Sequence, residues 1–150
     1  MTAQAAPAST GVDARPETVR CVIVVDESLP AGLAANAAAM VAVTLGATVD
    51  GLPGADLVDA DGNVHPGLVA AGIPVLAASR TQLSDLRPRA LAAGVGVIDF
   101  PAFGQETTDY DAVIDRVGAT PAAELEYLGI ALHGSGRAVR RLTGSLRLLR

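Results

Sequence analysis

The sequence predicts a layered α/β domain, three layers deep (α/β/α), around a mainly parallel, mixed sheet of four strands. Three observations carry that expectation. Apolar, β-branched runs at 21–25, 73–77, 95–98 and 125–132 alternate with stretches of helical character. The segment from Cys21 to Gly46 reads as a buried strand, an acidic turn and an alanine-rich helix. With 150 residues, 50% hydrophobic but only 3% aromatic, the chain holds one sizeable core built from Ala, Val, Leu and Ile, which suits helices lying close on a sheet.

Residues 1 to 19 are rich in Ala, Pro, Ser and Thr without periodicity and read as a flexible leader; a single domain follows over 20–150. Cys21 to Val25 is apolar without alternation, the pattern of a strand covered on both faces. Pro30 suits the first turn of the next helix, because its missing amide has no intrahelical partner there. That helix should run to Leu45 and stop at Gly46, and its near-absence of polar residues calls for cover on most sides. Leu57-Val58 and Val64-His65 flank Asp61-Gly62-Asn63, a hairpin pattern. A second core strand spans Ile73 to Ala77. Arg80 to Ala93 reads as a helix interrupted near Pro88 and closed by Gly94. Val95 to Ile98 forms a third strand ending at Asp99. A Pro-Ala-Phe-Gly loop and a helix from about Asp109 to Val117 follow, with a helical turn opened by Thr120-Pro121. Leu125 to Leu132 is the fourth strand, Gly134-Ser135-Gly136 turns the chain, and Arg137 to Thr143 forms the last helix.

The net charge of -5 speaks against a broad nucleic-acid surface. All 11 cations are arginines, and five of them fall at 137–150, where there is no acid. This end reads either as a solvated helix face with a basic tail or as a local anion site. A single cysteine, Cys21, excludes an intrachain disulfide and a multi-cysteine metal site, and fits a reducing, cytoplasmic setting. The first ten residues lack the pattern of a secretion signal, and Ala31 to Leu45 is short for a membrane span.

In open α/β sheets ligands gather beyond the carboxyl ends of the strands. Asp26, Ser79 and Asp99 are expected there, with Asn36 early in the first helix. Two carboxylates in one apolar crevice would have their pKa values pushed apart and could serve as base and acid; equally, each could accept turn or cap hydrogen bonds. Asn36 could orient a carbonyl or tie its helix to a loop. His65 and His133 have no partner at metal-ligand spacing, so no metal is expected, although His65 could reach the crevice. Ser135 stands where free amides at a helix start favour an anion, or acts as an N-cap.

The segments CVIVVDESLPAGLAANAAA, HPG, IPVLAAS, YLGIALHG and RRLTGSLRLL, spread over residues 20 to 150, carry a resemblance. On them the chain is identified as a member of the bacterial domain of unknown function 2000 family, whose proteins resemble type II peptidyl-tRNA hydrolases. The resemblance implies a peptidyl-tRNA hydrolase II-like fold and a homodimer. Ala34-Ala35-Asn36 stands where those hydrolases have Ala-Ala-Gln, Asp99 where they have the aspartate of an Asp-Ala-Gly motif, and Thr143-Gly144-Ser145-Leu146 repeats their ending. Ala39 replaces their histidine and Leu33 falls near their functional lysine, so the means of holding an ester on tRNA is missing. Two functions follow. One is hydrolysis of a small ester or amide, with Asp99 as general base, Asn36 orienting the carbonyl, Asp26 beside them, and Ser79, His65, Ser135 and Thr143 contacting the ligand. The other is a non-catalytic small-molecule-binding or regulatory domain that has lost the hydrolase residues. Neither requires a cofactor, a nucleic acid or a membrane.

Overall fold

The computed structural model describes residues 19–150. The expected leader therefore lies outside the described residues except for Val19, which opens the first strand. In chain order the elements are β1 (Val19–Asp26), α1 (Ala31–Thr48), a hairpin of β2 (Leu57–Val58) and β3 (Val64–His65), β4 (Val75–Ala78), α2 (Arg80–Ala92), β5 (Gly96–Pro101), α3 (Tyr110–Gly118), β6 (Tyr127–Ser135), α4 (Gly136–Thr143) and β7 (Arg147–Leu148). Short 3-10 turns at Ala102–Gln105 and Ala122–Glu124 flank α3.

The main sheet has five strands, not the four expected, in the order β5-β6-β1-β4-β7. Nor is it mainly parallel: β1 and β4 run together, while β1–β6, β5–β6 and β4–β7 are antiparallel. The expectation failed for a physical reason. An uninterrupted apolar run reports that both faces of a strand are covered, and a central antiparallel strand such as β6, with helices above and below, meets that condition as well. The additional strand, β7, is too short for any period to reveal it, and Leu149 N–H extends its pairing by donating to Val75 O at 3.0 Å.

Alternation along β1 divides the core into two layers. Cys21, Ile23 and Val25 face α1 and meet Ala34, Ala37, Val41 and Leu45; Val22 and Val24 face the other way, onto Leu83, Leu86 and Ala90 of α2 and Val139 of α4. Each fully buried Val or Leu contributes about 1.5–3 kcal/mol. The helix α1 rides close on β6 because small residues meet there: a Cβ built on Gly129 would lie 3.5 Å from Ala37 Cβ.

Three helix expectations are revised. The first helix passes through Gly46 to Thr48, where the Thr48 hydroxyl donates to Thr44 O at 2.7 Å. It is also not covered on most sides: the buried stripe is Ala34, Ala37, Val41 and Leu45, whereas Leu33, Met40 and Val43 lie exposed, Val43 by 76%. By length and composition this helix of 18 residues is apolar enough to cross a membrane; here its inner stripe lies on the sheet. Finally, α2 runs unbroken through Pro88. Proline deprives the carbonyl one turn back of its donor, but Pro88 lies on the exposed side of the helix, open to water. The end of α2 is as expected, with Gly94 at φ +68°.

Candidate functional site

Because β6 runs against both β1 and β5, the strands β1, β4 and β5 point the same way, and the end of the sheet that should hold chemistry does carry Asp26 and Ser79. Asp26, the last residue of β1, has a side chain only 1% exposed. Its Oδ1 accepts from Ser28 N at 2.9 Å and Ser28 Oγ at 2.7 Å, and its Oδ2 from Arg80 Nε at 2.8 Å. Burial pushes this carboxyl up, but the two Ser28 hydrogen bonds and the Arg80 guanidinium outweigh it and hold Asp26 below the usual aspartate range. Arg80 also donates from Nη1 to Glu126 at 3.0 Å.

Asp99 does not end its strand. Two further residues, Phe100 and Pro101, extend β5 beyond it, and through Ile130 it stands level with Val24. It accepts from Arg87 Nε at 2.7 Å, and the Arg87 guanidinium lies 5.8 Å from the centre of the Tyr127 ring. Hydrogen bonding to Asp99 raises the Arg87 pKa above its ordinary value. Thus α2 supplies both counter-ions, Arg80 and Arg87, from one face two turns apart, one for each carboxylate. Sequence reasoning singled out neither arginine, although their spacing of two turns on a helix next to two strand acids was a usable signal.

The expected convergence is not found. Asp26 and Asp99 share the α2 side of the sheet, but β6 separates their strands, a gap of about 10 Å at two strand spacings. Asn36 is on α1, exposed, on the opposite side of the sheet from Asp99. A base at Asp99 and a carbonyl held by Asn36 cannot meet through a packed core.

The remaining candidates are scattered. Ser79 caps α2 in a reciprocal box: its Oγ accepts from Gln82 N at 3.2 Å while Gln82 Oε1 accepts from Ser79 N at 2.9 Å. Thr143 is buried in α4 and donates to Val139 O at 2.8 Å. His65, with a side chain 58% exposed, sits on the hairpin 3.3 Å from Asp59. Ser135 ends β6 at the N-cap position of α4, where its side chain makes no capping hydrogen bond.

A concave site does exist, at the other end of β1. The strand β4 pairs with β1 only from Ile23 onward, so Val19 to Cys21 have no neighbouring strand on that side, and the gap opens into a cavity of about 300 Å³. Arg20, Arg140, Leu52, Val69 and Ile73 are among its walls, together with Gly136 at the start of α4. The Arg20 Nε is buried with no hydrogen-bond partner among the described residues. Neither this cavity nor a smaller one of about 80 Å³ between α2 and α4 includes Asp26, Asn36, Ser79 or Asp99.

A family model described as "Protein of unknown function (DUF2000)" matches residues 19–150. The chain belongs to this family. A solved structure, that of the protein of unknown function Atu0240 from Agrobacterium tumefaciens, is similar with a TM-score of 0.80 and 18% identity, over 87% of this chain and 96% of that one. At that identity the likeness shows the shared fold alone. No curated protein matches the chain.

In this DUF2000 domain Asp26 is poorly placed to act as a general base. A general base has to reach a substrate proton with a free lone pair and adequate basicity, whereas Asp26 is enclosed by three donors and held ionised below the usual range. Among the described residues, no group of three or more His, Cys, Asp or Glu side chains is placed to hold a metal ion.

Proposed function

We propose that this chain is a non-catalytic small-molecule-binding domain, built on a scaffold of the peptidyl-tRNA hydrolase II kind, with its ligand in the cavity beside the start of β1. One observation carries the reading: Asp26 and Asp99 are each engaged by their own arginine from α2, while the concave site beside the start of β1 keeps cationic side chains without carboxylate partners among the described residues. Ala39 and Leu33, where the hydrolases need a histidine and a lysine, support it further. The test is hydrolysis of p-nitrophenyl acetate and of charged tRNA by concentrated protein. Neither should be consumed faster than in buffer. Turnover abolished by Asp99→Asn would instead establish the small-ester hydrolase reading.

We also propose a homodimer through the outer face of α1. No charged residue occurs anywhere in Ala31–Thr48, and small residues surround the exposed Leu33, Met40 and Val43, so two copies of this face can approach closely about a two-fold axis. Sedimentation equilibrium should give a dimer that Val43→Arg converts to monomer; a wild-type chain monomeric at about 100 μM, far above the dissociation constants of stable dimers, would contradict it.

A further inference from the structure

We infer that the cavity at the amino end of β1 binds a small organic anion, a carboxylate with a short apolar body, through Arg20 and Arg140. This rests on the reading of that cavity as a ligand site and adds the chemical class of the ligand.

The charge comes first. Two arginines line the cavity and no acidic residue does. No ion pair joins either to a carboxylate among the described residues, whereas Arg80 has two and Arg87, Arg116 and Arg147 each have one. A guanidinium at the wall of a partly apolar cavity with no carboxylate to neutralise it favours a bound oxyanion, which accepts charge-assisted hydrogen bonds from it. The strand backbone adds a donor. Ile23 N–H points toward the β4 side, donating to Pro74 O at 3.0 Å. The two-residue repeat of a strand aims the Cys21 N–H to the same side, where β4 has not yet begun. The same cavity has aliphatic walls, Leu52, Val69 and Ile73, so inorganic phosphate would leave the apolar wall unused. A volume of about 300 Å³ lies at the small end of ligand pockets and suits a body of a few carbons.

Isothermal titration calorimetry of the full chain with hexanoate, hexanamide and inorganic phosphate tests the assignment. Hexanoate should bind saturably at one site, with hexanamide and phosphate each weaker by about tenfold or more. Arg20→Gln and Arg140→Gln should each weaken hexanoate by about tenfold and leave hexanamide unchanged. Arg140 is exposed on α4, so its replacement does not endanger folding. Hexanamide binding as tightly as hexanoate, with both lost on Val69→Arg, would overturn the anion assignment while leaving the cavity a ligand site. Phosphate binding as tightly as hexanoate would overturn the apolar half of the assignment. Hexanoate unaffected by either arginine variant, or failing to bind at all, would overturn the whole.

Discussion

Replacing Arg80 should cost more stability than replacing Asp26, the acid it serves. In Arg80→Met the buried carboxylate stays, keeps its two Ser28 donors and loses its cation. A buried charge stripped of its partner costs about 3–5 kcal/mol, and the retained Ser28 bonds put the value near the lower end. In Asp26→Asn the charge disappears with the ion pair. The asparagine Oδ1 can still accept from Ser28, and Arg80, with a side chain 46% exposed, can turn to water and Glu126. What is lost is one charge-assisted hydrogen bond, about 1.5–3 kcal/mol. At about 2–4 °C per kcal/mol for a domain of this size, Arg80→Met should melt roughly 6–12 °C below the wild type. Urea unfolding followed by far-UV circular dichroism at neutral pH gives the free energies. The double variant should fall short of the summed losses by about 1–2 kcal/mol, because the two side chains share one interaction. An Asp26→Asn variant less stable than Arg80→Met, or both within about 0.5 kcal/mol of wild type, would refute the reasoning.

Acid should destabilise the domain through the same residue. The folded pKa of Asp26 lies below its ordinary value, so the unfolded chain takes up the proton first; the stabilisation is complete above about pH 5 and is lost as pH falls through about 4 and below. Melting temperatures measured down this range should fall more steeply for the wild type than for Asp26→Asn, and parallel curves would refute the assignment. At Gly67 a Cβ would collide with the carbonyl oxygen of Gly54 and lie 2.8 Å from that of Ala55. Both are backbone atoms that cannot swing away, so Gly67→Ala should cost about 1–3 kcal/mol and loosen the chain that walls the cavity, which amide hydrogen exchange over residues 50–73 would detect.

The fold was legible where local chemistry decides it. Pro30 before α1, the apolar run of β1, Asp61-Gly62-Asn63 between β2 and β3, and Gly94 after α2 all placed elements within a few residues. Strand direction was not legible, since the apolar run at 127–132 is the same whichever way β6 enters the sheet. Sequence also located Asp26 at a strand end but could not show that Arg80, 54 residues on, would close over it. Asn36 and Asp99 failed for a related reason: which side of a sheet a helix packs on depends on the hand of its connection, not on its own pattern. Nothing local marks Arg20, because an arginine at the start of a strand has the pattern of an ordinary solvated end; only the late start of β4 makes it a cavity wall.

The most direct measurement is an amide chemical-shift map of the full chain during a hexanoate titration. Perturbations concentrated at Val19–Cys21, Ala71–Ile73 and Gly136 are the predicted result. Perturbations concentrated instead at Asp26, Ser79 and Asp99 would return the ligand to the carboxyl end of the sheet and contradict the central claim.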